Sequence, residues 1–216
     1  YVPEIIGSSN NMYVYKKVKG EVFSKHPTVE KFSYFLDWMD TFWVKKKLSP
    51  IKEKIFYKEN LAFYKDKTYK RVKQYFERFE QIDSKEIING LETPKIYNIL
   101  EKVDWSYLSD ESPYTFHGDL HFENILINDS NTQPFTLLDW RQDYGGNLEY
   151  GDIYYDFAKL NHGLIISHEL INKNHFKVRH RLSSIDFDFY RKNSLVECEV
   201  YFKEYIKSKS FDYKKV

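Results

Sequence analysis

The side chains that could carry out chemistry lie around a predicted β hairpin in the middle of the sequence. Two apolar runs, 125–128 and 135–138, predict its strands. A hairpin brings the residue before its first strand, Asn124, close to the residue after its second strand, Asp139. Asp119 lies on a short loop just upstream. Two carboxylates and one amide are therefore expected to converge at one end of the hairpin, opposite its polar turn at 129–134.

This set of side chains suits phosphoryl transfer from ATP. Mg²⁺ prefers oxygen ligands and takes only a few of them from protein. An amide oxygen from Asn124 and a carboxylate oxygen from Asp139 can supply that share. The carboxylate of Asp119 can then orient an acceptor hydroxyl and take its proton. The spacing from His117 through Asp119 to Asn124 matches the H-R-D-x-x-x-x-N pattern of protein kinases, with Gly118 in place of the arginine.

The motifs of residues 116–160 resemble the aminoglycoside phosphotransferase/choline kinase family, which has the protein-kinase-like fold. The resemblance rests on His-Gly-Asp-Leu-His…Asn at 117–124, on an apolar pair followed by Asp-Trp at 137–140, and on Gly-Asp-Ile-Tyr-Tyr-Asp-Phe-Ala at 151–158. The flanking helical segments agree in kind only. A looser similarity covers residues 12–21, which resemble the hinge strand of the family and the glycine after it.

The resemblance implies a role for each matched residue. Asp119 is expected to be the catalytic base, and Asn124 and Asp139 are expected to bind Mg²⁺. His117 is expected to brace the catalytic loop. Asp156 is expected to accept hydrogen bonds from that loop, which is a structural role.

The resemblance also implies how ATP, the co-substrate, is bound. Backbone groups from Lys16 to Val18 are expected to bind the adenine, and His121 is placed near the phosphates. The segment that follows Asp139, residues 141–150, has two interpretations. It is either a surface loop, or an acceptor pocket or phosphate contact in which Arg141 and Asp143 take part.

Hydrophobic periodicity predicts an α+β fold that is mostly helical. The small central hairpin carries the catalytic and metal-binding residues, and a front β hairpin precedes the helices. By the resemblance, residues 1–24 are a remnant of the N-terminal lobe's sheet with the hinge, and residues 25–216 are a helical C-terminal catalytic lobe. The helical patterns cover 27–48, 57–80, 94–103, 151–173 and 187–207, and Ser49-Pro50 is expected to end the first of them.

Composition excludes several other classes of protein. The formal net charge is +1, with 33 basic and 32 acidic residues, so no strong field attracts nucleic acid. No apolar run predicts a membrane span or a signal peptide. Cys198 is the single cysteine and is expected to be a core thiol in a reducing compartment, which favours the cytoplasm. The histidines and arginines of 175–181 are expected to lie in a solvated loop, and His162 near the end of a helix.

The sequence thus predicts an ATP- and Mg²⁺-dependent phosphotransferase that acts on a small alcohol, such as a sugar, a choline-like amino alcohol or an aminoglycoside. The eight glycines of the sequence do not cluster as a phosphate-binding loop. The expectation is that the chain contains the catalytic lobe and hinge without the nucleotide lid. A pseudokinase-like binding or scaffold module is the alternative.

Overall fold

The computed structural model describes residues 1–129 and 132–216, so that Ser130 and Asn131 of the predicted turn lie outside the described residues. The strands in this part of the chain are β1 (Ile5–Ser9), β2 (Met12–Tyr15), β3 (Glu21–Val22), β4 (Glu86–Ile88), β5 (Leu91–Thr93), β6 (Pro113–Tyr114), β7 (Ile125–Ile127), β8 (Phe135–Leu137), β9 (Gly151–Asp152), β10 (Phe176–His180) and β11 (Ile185–Phe189). The helices are α1 (Val29–Met39), α2 (Pro50–Arg78), α3 (Ile96–Leu100), α4 (Trp105–Ser109), α5 (Ile153–Ile165), α6 (His168–Asn172) and α7 (Asn193–Ser208). The fold is therefore a mixture of helices and short strands, while its assignment to a lobe remains a prediction.

The strands form four small sheets among the described residues. Both predicted hairpins are present, β1 with β2 and β7 with β8. The first strand of the central hairpin also pairs with β3, which makes an antiparallel sheet in the order β3-β7-β8. Strand β6 pairs with β9. A four-stranded sheet in the order β10-β11-β4-β5 was not predicted; in it, β11 and β4 are joined by the parallel pair of Ile185 and Ile88.

The first predicted helix, 27–48, is too long. Helix α1 ends at Met39, because the chain turns after Asp40 and then runs extended, with Lys45 bridging to Tyr114. Ser49-Pro50 begins a helix and does not end one: the Ser49 hydroxyl caps α2 by accepting a hydrogen bond from the Lys52 amide. Proline suits this first helical position because its missing amide proton has no acceptor there.

Three other predicted segments are also divided or shortened. The helical prediction at 94–103 is replaced by α3 and the separate α4, and that at 151–173 by α5 and α6. The last helix begins at Asn193, since residues 185–189 are in β11. The predicted solvated loop at 175–181 is largely β10, whose side chains are nonetheless mostly exposed.

Aromatic side chains dominate the core. The main cluster joins α1, α5 and α7 to the central hairpin and includes Phe23, Phe32, Phe122, Phe157 and Phe202. Edge-to-face ring contacts recur through it, a geometry that stabilises aromatic pairs beyond their burial. Cys198 is fully buried in this cluster, and burial raises the pKa of its thiol to about 12. The prediction of a core thiol is confirmed.

A helix must be both long and apolar to cross a bilayer. Within residues 1–129 and 132–216, no helix is long and apolar enough to do so.

Candidate active site

A buried carboxylate fixes the loop that carries Asp119. Asp156, in the first turn of α5, accepts hydrogen bonds from the backbone amides of His117 at 2.8 Å and Gly118 at 2.7 Å. It also accepts one from the indole nitrogen of Trp43 at 3.0 Å. The loop-to-helix hydrogen bonds implied by the family resemblance are therefore present. Burial raises the pKa of Asp156 to about 6, although these three donors favour its ionised form.

His117 belongs to the same loop, and its side chain is fully buried. Its Nδ1 accepts a hydrogen bond from the Asp119 amide at 3.3 Å, and its backbone carbonyl accepts one from the Arg141 amide at 3.0 Å. Burial lowers the pKa of the ring to about 4, against the opposing effects of the Leu138 carbonyl and Asp119. A neutral imidazole in these contacts can position the loop, as expected of a bracing residue.

The end of the central hairpin brings three of the predicted residues together. The Asn124 side-chain amide donates to the Asp119 carbonyl at 2.9 Å. The Leu138 amide donates to the Asn124 carbonyl at 2.8 Å, which places Asp139 beside Asn124. Asp139 has a φ of 52°, a left-handed conformation that costs energy in a non-glycine residue.

The predicted metal ligands, Asn124 and Asp139, offer one amide oxygen and one carboxylate oxygen. In the described part of the chain, no three His, Cys, Asp or Glu residues form a cluster able to hold a metal. One amide and one carboxylate oxygen are what Mg²⁺ takes from protein when phosphates and water supply its other ligands. Asn124 and Asp139 could therefore hold Mg²⁺ together with a nucleotide.

The sequence prediction missed Lys159 as a member of the site. Its Nζ lies 2.7 Å from Oδ1 of Asp119. Nε2 of His121 lies 3.6 Å from Oδ2 of Asp119, and Nδ1 of His121 lies 3.0 Å from Oε2 of Glu123. Lys159 lies three residues after Asp156 on α5, so the two side chains share one helix face. That spacing was the available signal for placing Lys159 near the loop.

The charges around Asp119 keep it ionised. Burial alone would raise the pKa of its carboxyl group, but the hydrogen bond and charge of Lys159, with His121 and His117, lower the pKa below its ordinary value. A carboxylate of this kind is a weak base. It can accept a hydrogen bond from a hydroxyl group.

The segment 141–150 is more than a surface loop. Tyr144 is fully buried, and its hydroxyl hydrogen-bonds the side-chain oxygen of Asn60. Asp143 stabilises the turn, because its carboxylate accepts a hydrogen bond from the Gly146 amide at 2.9 Å. Arg141 donates to the Asp143 carbonyl at 2.7 Å and places its guanidinium 5.2 Å from the centre of the Phe63 ring.

The front hairpin lines two separate cavities. Asp139 lies on a cavity of 420 Å³ together with Ile5, Tyr13, Tyr15 and Trp140. Lys16 and Val18 line another cavity of 500 Å³, to which Asp139 does not contribute, and the Lys16 amide already donates to the Glu4 carbonyl at 2.9 Å. The structure thus does not bring Lys16 and Val18 to the hairpin end. The adenine-binding role of these backbone groups stays a prediction, as does the placement of His121 near the phosphates.

Gly118 has no space for a side chain in the loop that carries Asp119. Its φ is +82°, and a Cβ there would lie 2.5 Å from Cβ of Arg141. We expect Gly118→Ala to destabilise the protein by about 3 kcal/mol, because left-handed strain and overpacking add. Gly90→Ala is the matched control, since Gly90 has a φ of +78° with nothing within 4 Å, and should cost about 1 kcal/mol. Urea unfolding measures both, and equal losses would show that crowding at Arg141 is unimportant.

The loop that carries Asp119 is therefore tied to α5 by a buried aspartate and lies beside the hairpin end that carries Asn124 and Asp139. The sequence model of the phosphotransferase enzyme family matches residues 65–165, which include the loop, the hairpin and Lys159. This match confirms the resemblance to the aminoglycoside phosphotransferase/choline kinase family. No curated protein and no solved structure matches the chain.

Proposed function

We propose that this protein transfers the terminal phosphoryl group of ATP to a hydroxyl group of a small molecule. The observation that carries the proposal is the convergence of Asp119, Asn124 and Asp139 at one end of the central hairpin. The loop beside them is held by the buried carboxylate of Asp156. The match of residues 65–165 to a phosphotransferase family supports the same class of reaction.

In this proposal each side chain has a distinct task. Asp119 accepts a hydrogen bond from the acceptor hydroxyl, aims its oxygen at the phosphorus and takes the proton as the bond forms. Asn124 and Asp139 hold Mg²⁺, which when bound neutralises charge on the phosphates. Lys159 keeps Asp119 ionised and lies where it can also face the negative charge of the transferred group.

The nucleotide is proposed to lie on the side of the front hairpin. The cavity lined by Tyr13, Tyr15 and Asp139 is proposed to take part of the nucleotide, with the phosphates toward Asp139. Backbone groups from Lys16 to Val18, which line the separate cavity of 500 Å³, are proposed to bind the adenine. In this arrangement residues 1–24 belong to a hinge and sheet region, and residues 25–216 to a catalytic lobe.

The binding partner and the cellular location of the enzyme are also part of the proposal. A small-molecule alcohol is proposed as the partner, and not a nucleic acid, because the charges of the chain balance to +1. A cytoplasmic location is proposed from the lone, buried cysteine and the requirement for ATP.

The proposal is tested by ADP release from Mg-ATP with sugars, choline-like amino alcohols, aminoglycosides and their phosphorylated or carboxylated counterparts. We expect turnover that depends on Mg²⁺, and a loss of about 100-fold in Asp139→Asn because an oxyanion ligand of the metal is removed. Asp188→Asn, at an exposed position of β11, is the control and should retain full activity. Equal activity of Asp139→Asn and wild type would overturn the metal assignment. Binding of Mg-ATP without turnover of any acceptor would favour the pseudokinase-like alternative.

A further inference from the structure

Three basic side chains gather beside Asp119 on an aromatic surface. This basic cluster consists of Lys67, Arg141 and Lys159. The Lys67 ammonium lies 4.0 Å from the centre of the Phe63 ring and 5.1 Å from that of Tyr155. The Arg141 guanidinium lies over the same two rings at 5.2 and 6.0 Å, and the Lys159 ammonium lies 5.8 Å from Tyr155. Helices α2 and α5 and the segment after β8 thus place three cations around two rings.

The positive charges of the cluster exceed its negative charges. Lys159 is paired with Asp119 at 2.7 Å. The polar contacts of the other two members are with neutral groups: Lys67 donates to the Tyr155 hydroxyl at 3.3 Å, and Arg141 to the Asp143 backbone carbonyl at 2.7 Å. Across residues 1–129 and 132–216, the ion pairs within 4.0 Å include neither Lys67 nor Arg141.

Crowding of like charges favours an anion at this position. Burial first, and then repulsion from Arg141, Arg71 and Lys159, lowers the pKa of Lys67 to about 8. Each of these repulsions would turn into attraction if an anion bound among the cations. The same positive charges would repel a cationic acceptor.

We propose that the basic cluster binds an anionic group, a phosphate or a carboxylate, on the acceptor alcohol and thereby holds the acceptor hydroxyl at Asp119. This inference rests on the proposed phosphotransferase function and narrows its substrate class. Anionic sugars and other anionic alcohols are favoured, and the positively charged choline-like compounds and aminoglycosides are disfavoured. Arg141 can bind such a group through two parallel hydrogen bonds, and Lys67 supplies a mobile point charge.

The terminal phosphate of ATP is the other source of the same chemistry. Arg141 borders the 420 Å³ cavity that contains Asp139, so this member of the cluster could also contact a phosphate of ATP. Lys67, on α2, does not line that cavity. Lys67 is therefore the residue whose replacement separates the acceptor from the nucleotide.

The first experiment measures anion binding by calorimetry in the absence of nucleotide. The probes are inorganic sulfate, and glycerol 3-phosphate against glycerol. We expect wild type to bind both anions and Lys67→Gln to bind them about tenfold more weakly, the effect of losing one charge-assisted hydrogen bond. Lys67→Arg, which keeps the charge, should retain binding, and Lys65→Gln, at an exposed position two residues earlier, is the control. Absence of binding, or equal binding by Lys67→Gln, overturns the proposal.

The second experiment separates the two sources of anion by steady-state kinetics. With the best acceptor from the panel above, Lys67→Gln should raise KM for that acceptor about tenfold and leave KM for Mg-ATP unchanged. A preference for cationic or neutral acceptors, or an effect confined to KM for Mg-ATP, overturns the assignment to the acceptor. Sulfate binding at Lys67 without turnover of any acceptor would contradict the proposed function while leaving the anion site in place.

Discussion

Replacement of Asp119 by asparagine is expected to lower kcat by about 100- to 1,000-fold without unfolding the protein. The carboxylate is the proposed acceptor of the hydroxyl proton, and such groups contribute about 10²–10⁴ to rate. The fold should survive because the loop is held by the backbone of Asp119, which contacts His117 and Asn124. Among residues 1–129 and 132–216, the ion-pair partners of its side chain are Lys159 and His121. Steady-state ADP release measures the effect, and circular dichroism checks the fold.

Asp66→Asn is the matched control for this substitution. Asp66 lies on α2 and is exposed, so its replacement removes a carboxylate of the same type from the surface of a helix outside the loop. Binding of Mg-ATP should be preserved in both variants, since Asn124 and Asp139 are unchanged. Wild-type kcat in Asp119→Asn would exclude Asp119 as the base.

Asp156→Ala is expected to destabilise the protein by about 3 kcal/mol or more. The substitution leaves three buried donors without an acceptor: the amides of His117 and Gly118 and the indole of Trp43. Each unsatisfied donor costs about 1–3 kcal/mol, and part of that loss is recovered because the buried carboxylate is itself costly to ionise. The measurement is the free energy of unfolding from urea titrations at neutral pH.

An exposed aspartate provides the comparison for Asp156. Asp188→Ala, on β11, should change the free energy of unfolding by less than about 0.5 kcal/mol. Activity should also fall in Asp156→Ala, because the loop that carries Asp119 loses its attachment to α5. A stability equal to that of wild type would mean that water or other groups replace all three hydrogen bonds.

The sequence was sufficient to locate the candidate site because its parts are local. Asp119, Asn124 and Asp139 lie in one stretch, and the alternation of apolar runs around a turn predicts which of them meet. Lys159 was missed because its position depends on the rotation of α5, which Asp156 sets. The rings of Phe63 and Tyr155 next to the basic cluster were missed for a similar reason, since α2, which carries Phe63, reaches the site only through packing.

The errors in secondary structure have physical causes of two kinds. The sheet that joins β4 and β5 to β10 and β11 depends on a pairing of Ile88 with Ile185, which are far apart in sequence, and β4 and β5 have only three residues each. The apolar and acidic residues of β11 do alternate, which is a strand signal that the helical prediction for 187–207 overlooked. Ser49-Pro50 is ambiguous because proline both ends one helix and begins another. Only the packing of Phe42 and Trp43 into the core decides that the chain leaves α1 before it reaches that point.

Trp140 gives the site a built-in optical signal. Its indole directly follows Asp139, is 41% exposed, and lies 5.8 Å from the ring of His117. The other three tryptophans are Trp38, Trp43 and Trp105, which are partly or fully buried. Indole emission responds to the polarity of its surroundings, so occupation of the hairpin end changes the environment of one fluorophore in four. The unlabelled protein therefore reports its own ligand binding through intrinsic fluorescence.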